Sequence, residues 1–398
     1  MMHAAVIVLG DLGRSPRMQY HARALAVNGV TVDLVGEEGT PLPTALDHPH
    51  IREHRLKPRR GVGGVPGSAV AVIRMLLRLR RPDVIVAQTP PAIPTLAAVW
   101  LVARLRRSRL IIDWHNLGWT LLPTSTPPRR WVSKVARALE RASASRADAH
   151  LAVSDALAQH LRDSWGLAAV STFHDKPADF TATPANRDDT RRHLNRLAGL
   201  PDAANPAIVL SPTSWTRDES LDMALDAADA LAPRWTTDGP GDGLVLVISG
   251  QGAGRAAFEE RLRRRPGHPV RIITTWVTAD DYPALVAAAD AGLSLHRSSS
   301  RLDLPMKICD LFGAALPVCA FDYGPTLREL VQPNQNALLF TDARMLADCL
   351  DRLFRTWPAP TAVLDTLRAG AANVAAGARW SAHWQRVAAP IILDRPTP

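Results

Sequence analysis

The chain has 398 residues, 46% of them apolar, 21% charged and 5% aromatic, enough for two domains with ordinary cores at roughly 100 to 200 residues each. This composition excludes a disordered chain, and three cysteines, Cys309, Cys319 and Cys349, with no CxxC pair exclude a disulfide framework or cysteine zinc site and fit a reducing cytosol. A formal charge of +9 points to an anionic partner without choosing among nucleic acid, a membrane surface and a phosphorylated substrate.

Forty-three of the 47 basic residues are arginine, which with the many alanines and prolines suggests a GC-rich bacterial genome. The four lysines are Lys57, Lys134, Lys176 and Lys307, and at a tight site an ammonium is not replaceable by a guanidinium. No apolar run approaches the roughly 18 to 20 residues that cross a bilayer, and the run 4–9 is too short for a signal-peptide core. The chain is therefore expected in the cytoplasm, soluble or peripheral at the inner face of the cell membrane.

In chain order, strand-like runs at 4–10, 31–36, 83–89, 109–115 and 149–154 alternate with segments of helical periodicity. This is the rhythm of a parallel sheet covered by helices on both faces. After Phe180 a polar, proline-containing stretch, 181–206, reads as a linker between a domain at 1–180 and a second at 207–375. The rhythm restarts at 207–213, 244–250, 270–277, 291–296 and 317–322, and a last helical segment in 376–398 is a candidate to pack back on the first domain. Two doubly wound domains place their chemistry in the loops after the strands.

The first strand runs into Gly10-Asp11-Leu12-Gly13-Arg14-Ser15-Pro16-Arg17. Small residues, a Ser15 cap, Pro16 at the first helical position and two arginines make an anion site or an ordinary strand-to-helix turn. The fifth ends in Asp113-Trp114-His115-Asn116-Leu117-Gly118-Trp119. There Asp113 or His115 is a candidate general base, and Trp114 and Trp119 are candidate platforms for a sugar or isoprenoid-like chain; the alternative is a structural hydrogen-bonder.

In the second domain, Thr213-Ser214-Trp215-Thr216-Arg217 and Gly250-Gln251-Gly252-Ala253-Gly254-Arg255 each combine small residues with an arginine before a helix, which suits a diphosphate. The run 295–310 holds Ser299, Ser300 and Arg301, then Lys307 and Asp310 on one helical face: donors for phosphate and an acceptor for ribose hydroxyls, or a solvated loop and a surface pair. His48, His50 and His54 lack the fixed geometry of a metal site. Residues 65–81, with Arg74, Arg78, Arg80 and Arg81, read equally as a solvated helix or a basic membrane contact.

Taken together, Gly10 to His21, Pro90-Pro91-Ala92-Ile93-Pro94-Thr95, Ile111 to Asn116, Asp175-Lys176-Pro177-Ala178, Thr213 to Thr216, Asp281-Tyr282-Pro283 and Leu302-Asp303-Leu304-Pro305-Met306-Lys307 resemble the chitobiosyldiphosphodolichol β-mannosyltransferase family. The resemblance implies an α/β fold of GT-B type, two doubly wound Rossmann-like domains facing across a cleft, with the acceptor in the first and the nucleotide sugar in the second. It implies GDP-mannose as donor and inversion to a β-mannoside. By position it makes Arg217, Gly250, Gly252, Arg255, Ser299, Ser300 and Lys307 candidates for the diphosphate and sugar, Asp310 for the ribose, and Trp276 with Val277 for the guanine-side loop.

On the acceptor side stand Gly13, Arg14, Arg17, Trp114 and Trp119, with Asp113 or His115 as base and Asp11 in reserve. No DxD triplet occurs, so neither a metal nor another cofactor is expected. Eukaryotic members carry an N-terminal membrane anchor, whereas this chain is expected to work without one, and Arg301 stands where a small residue is usual. The expected partners are a nucleotide-sugar donor and a lipid-linked or small-molecule acceptor, with peripheral membrane contact through the first domain and no nucleic acid. The competing readings are another nucleotide sugar used on a natural-product acceptor, and a non-catalytic basic protein that binds polyanions or membranes.

Overall fold

The computed structural model describes residues 2–58, 64–90, 95–122, 130–179, 186–216, 218–265 and 269–394. Two compact units are present: Met1–Asp175 with Leu302–Leu304 and Trp380–Pro398, and Lys176–Arg301 with Pro305–Arg379.

The first unit is built on seven strands: β1 His3–Asp11, β2 Thr31–Glu37, β3 Ile51–Leu56, β4 Val84–Thr89, β5 Arg109–Trp114, β6 Ala149–Ala152 and β7 Val170–Thr172. They pair in parallel in the order β3-β2-β1-β4-β5-β6-β7. The six strands of the second unit, β8 Ala207–Pro212, β9 Leu244–Ser249, β10 Val270–Thr275, β11 Ala291–Ser294, β12 Val318–Phe321 and β13 Ala337–Phe340, are likewise parallel, in the order β10-β9-β8-β11-β12-β13. Parallel sheets need crossover helices, so their central strands are apolar on both faces; all six residues of β9 are buried.

The helices of the first unit are α1 Pro16–Val27, α2 Gly64–Arg78, α3 Thr95–Arg106, α4 Arg130–Ala144 and α5 Asp155–Asp163; those of the second are α6 Arg187–Leu197, α7 Asp222–Asp238, α8 Arg255–Arg263, α9 Tyr282–Ala288, α10 Met306–Gly313, α11 Ala343–Phe354 and α12 Ala362–Ala375. Three of their starts are capped by a side-chain oxygen: Ser154, Asp342 and Thr361 each accept from the amide three residues on, each cap worth about 1 kcal/mol. Ser15 makes no such cap. Its hydroxyl donates to the Asp11 carbonyl at 3.1 Å and does not cap α1.

The stretch 181–206 is not a plain linker. Residues 187–197 fold as α6 because Leu194 reaches the second core and Arg191 bonds Asp290 at 3.0 Å, so the division between units falls at Asp175/Lys176. The last helix, α13 Trp380–Ile392, returns to the first unit, where Trp380 and Trp384 are buried in the core beneath α1. All three cysteines are buried and none is in a disulfide, and no helix among the described residues is long and apolar enough to cross a membrane.

Candidate active site

The carboxyl end of β5 places Asp113 and His115 on one side of the strand and Trp114 on the other, as strand alternation requires. Trp114 is accordingly fully buried, donating from Nε1 to His150 Nδ1 at 3.1 Å and meeting the Trp165 ring edge-on. The expectation that it offers a platform to an acceptor is corrected: it is core. Because an indole only donates, His150 Nδ1 must stay bare, and burial lowers its pKa to about 4. An unfolded chain takes up that proton near pH 6.5, so the stabilising contribution is complete above pH 6.5 and is lost as pH falls toward 4. At about 1.4 kcal/mol per pH unit, His150 alone should lower unfolding stability by roughly 3 kcal/mol across that window, and urea titrations of wild type and His150→Gln should show the slope shrinking in the variant.

Asp113 is fully buried with both oxygens engaged: Arg17 donates from Nε to Oδ2 and from Nη2 to Oδ1, both at 2.8 Å, and His115 Nε2 lies 3.0 Å from Oδ2. Burial would raise its pKa, but the Arg17 charge, His115 and their hydrogen bonds prevail and hold the carboxyl well below the usual carboxylate range. Such a carboxylate is a poor proton acceptor, so of the two expected bases Asp113 is the orienting partner. His115, with a side chain 22% exposed, directs its Nε2 proton to an acceptor-only carboxylate, which makes Nδ1 the ring's acceptor nitrogen.

Arg17, expected to receive an anion, is instead wholly buried between carboxylates. Its third nitrogen donates to Asp175 at 2.7 Å and its plane lies 4.6 Å from the Phe173 centroid. Burial works against the charge, yet Asp113 and Asp175 raise the Arg17 pKa above its ordinary value. His21, one helical turn along α1, accepts from Trp384 Nε1 at 3.0 Å through Nδ1, so its proton sits on Nε2, 3.3 Å from Asp113 Oδ2. Burial lowers its pKa further than Asp113 can raise it. Thus Trp384, His21, Asp113 and His115 form one polar chain from α13 to the strand end. His21, Asp175 and Trp384 carried no local signal of this role.

Asp11 is also spoken for. Its carboxylate accepts from the amides of Gly13 and Thr40 and from the Thr40 hydroxyl, at 2.7 to 3.0 Å, and so knits two loops together, which removes the reserve base. Gly13 permits that closeness, since a Cβ would sit 2.3 Å from the Thr40 carbonyl oxygen. Arg14 remains exposed. Trp119, half-buried on the 3-10 turn Gly118–Leu121, is covered by the Arg137 guanidinium at 5.6 Å, and the turn is held by Glu140, whose carboxylate accepts from the Gly118 and Trp119 amides at 2.8 and 2.9 Å. Burial raises the Glu140 pKa.

In the second unit the loop from β8 to α7 is the hub. Glu219, which the sequence does not single out, accepts from Thr213 Oγ1, from the amides of Ser214 and Trp215 at 2.9 and 3.2 Å, and from Lys307 Nζ. Gly250 and Gly252 let the β9–α8 loop lie against this hub: a Cβ would stand 1.9 Å from the Thr213 oxygen and 2.2 Å from that of Ser214, and Gly250 has φ +152°. Arg255 is tied to its own surroundings, to Glu259 at 2.7 Å, the Gly250 carbonyl and Thr274. Burial would raise the Asp218 pKa, but hydrogen bonds from His296 and Thr216 pull it down to about 2.

Lys307, Gly250, Gly252 and Arg255 are thus gathered around one loop. Trp276 stands 40% exposed just past β10, while Val277 packs on the core. Ser299 and Ser300 lie on the loop after β11, Asp310 follows Lys307 on α10, and Arg301 sits at φ 61°, a conformation that favours small residues. Arg217 and the proline-rich run at 91–94 lie outside the described residues.

A family profile described as a glycosyl transferase 4-like domain matches residues 13–174. Among solved structures, the fold is similar to sucrose-phosphate synthase from Thermosynechococcus elongatus, with a TM-score of 0.70 and 20% identity over 97% of both chains. It is also similar to the Anabaena protein HepE in complex with UDP and glucose, with a TM-score of 0.70 and 17% identity over 97% of this chain and 98% of that one. The protein is a glycosyltransferase with two Rossmann-like units of the GT-B type. Mouse chitobiosyldiphosphodolichol β-mannosyltransferase is 34% identical over 98% of this chain and 89% of its own, and a protein of Arabidopsis thaliana named UDP-glycosyltransferase TURAN is 33% identical over 98% and 97%. The chain belongs to the chitobiosyldiphosphodolichol β-mannosyltransferase family.

Proposed function

We propose that this enzyme transfers mannose from GDP-mannose to a hydroxyl of a lipid-linked diphosphate acceptor, forming a β-mannoside with inversion. The observation that carries the reading is the His115–Asp113 pair at the end of β5, in a chain whose mouse and human relatives are named for β-mannosyl transfer. His115 Nδ1 takes the acceptor proton as that oxygen bonds to the sugar's anomeric carbon, and the bond from that carbon to the diphosphate breaks on the opposite face, releasing GDP. Asp113 fixes the imidazole and stabilises the imidazolium. Lys307 and the loops at Gly250 and Ser299 neutralise the leaving diphosphate; with no DxD triplet in the chain, side-chain cations rather than a divalent ion supply that charge.

A thermal-shift panel of GDP, GDP-mannose, UDP and several UDP-sugars tests the donor, because a ligand at 100 times its dissociation constant adds about 2.7 kcal/mol. Stabilisation by the guanine nucleotides alone is expected. Response to uridine species alone would replace the donor by a UDP-sugar, the reading that the name of the Arabidopsis relative favours. Lys307→Ala is expected to raise the donor KM at least about tenfold with kcat changed less, the sign of lost binding shared by ground and transition states. A variant with wild-type KM would confine Lys307 to its pair with Glu219.

A further inference from the structure

Among the described residues, twelve large apolar side chains stand conspicuously in solvent, and eight of them belong to α2, α3, α4 and the turn before α4. On α4, Trp131, Val135 and Leu139 recur every four residues at 63%, 48% and 51% exposure, a continuous apolar stripe along one helix face. Leu101 and Leu105 repeat that four-residue spacing on α3, which packs between α2 and α4, and Val70 and Leu77 are exposed seven residues apart on α2. Arg106 donates to the Leu77 carbonyl at 3.1 Å, tying α3 to α2.

The charge on these helices is one-sided. They contain Arg74, Arg78, Arg104, Arg106, Arg130, Lys134, Arg137 and Arg141, and one acidic residue, Glu140, which is wholly buried. Across the whole chain acidic residues number 38 against 47 basic, so composition does not account for the asymmetry. On α4, exposed Lys134 and Arg141 flank the apolar stripe on one side. Apolar stripes with a purely basic flank match a surface that is apolar a few ångströms down and negatively charged on top. A Trp on such a face suits the headgroup level, where its ring is half in hydrocarbon and its N–H in water.

We propose that α2, α3 and α4 form a face that docks on an anionic lipid bilayer, with Trp131, Val135 and Leu139 entering the headgroup boundary and the exposed Arg78, Arg104 and Lys134 meeting lipid phosphates. The proposal deepens the functional reading above, since a lipid-linked acceptor lies in such a surface, but its test needs neither donor nor acceptor. Flotation with phosphatidylcholine vesicles containing about 30% phosphatidylglycerol should carry the wild-type chain upward, and vesicles of phosphatidylcholine alone should not. The triple variant Trp131→Ser, Val135→Ser, Leu139→Ser should lose at least about tenfold in partition, as should Arg78→Glu, Arg104→Glu, Lys134→Glu.

All six positions are exposed, so an unchanged melting profile accompanies the expected result. Wild-type protein that stays with the soluble fraction, or a triple variant that floats as well as wild type, would overturn the proposal. So would a mass that doubles with concentration and is returned to monomer by the triple variant, which would place a second copy on this face. Loss of mannosyl transfer with flotation intact would overturn only the functional reading.

Discussion

His115→Ala should lower kcat by about 10² to 10⁴-fold while leaving GDP affinity unchanged, with a stability loss of about 1 to 3 kcal/mol from the missing hydrogen bond to buried Asp113. The expectation follows from geometry: among Asp113, Asp11 and His115, His115 alone pairs an orienting carboxylate at 3.0 Å with a second, acceptor nitrogen. Turnover at a fixed saturating donor concentration decides it, and a variant within threefold of wild type, to take a generous bound, would exclude His115 as base. Asp113→Asn is a different experiment. It removes the charge opposite Arg17 as well as the orienting acceptor, so its loss of turnover should come with a larger loss of stability.

The largest structural effect should come from Arg17→Met. The substitution leaves Asp113 and Asp175, both buried, without their shared cation, and breaking one side of such a pair costs about 3 to 5 kcal/mol, a large part of the roughly 5 to 15 kcal/mol that holds a domain folded. Lysine should rescue poorly, since a point charge cannot reproduce the two parallel bonds to Asp113 and the third to Asp175. The pH dependence has a definite sign. With its folded pKa depressed, Asp113 contributes stability that is present above the ordinary carboxylate pKa of about 3.9 and lost as pH falls through the folded value. In Arg17→Met that acid limb should move to higher pH, because burial then acts on Asp113 with His115 left to oppose it. Urea unfolding from pH 3 to 7 measures both effects; identical acid limbs would mean that Arg17 does not hold Asp113 ionised.

The central strands of both sheets were legible because β1, β2, β4, β5, β8 and β9 are buried runs of branched residues. The strands that escaped notice lie at sheet edges. β3 reads Ile-Arg-Glu-His-Arg-Leu, the charged pattern that keeps an edge from pairing further, β7 has three residues and β13 four. At the site, the strand-end cluster around Asp113 was visible as a motif, but local reading does not tell which face of β5 is covered by helices, and Trp114 was misplaced for that reason. Arg17 was read as an anion receptor because its partner is invisible locally: Asp113 is 96 residues away, and a similar separation in sequence, 88 residues, hides the Glu219 partner of Lys307. A cation in a loop advertises charge; whether a distant carboxylate already neutralises it is a property of the fold.

The placement of α13 also sets an order of events for the chain as it is made. Synthesis runs from the N-terminus, so the strands of the first unit leave the ribosome about two hundred residues before the helix that supplies Trp380 and Trp384 to their core. Until then the apolar groove over α1 is open and His21 lacks the indole that sets its tautomer. The first unit therefore waits, incomplete, while the second is translated, and ribosome-bound chains halted before Trp380 should resist protease in the second unit sooner than in the first.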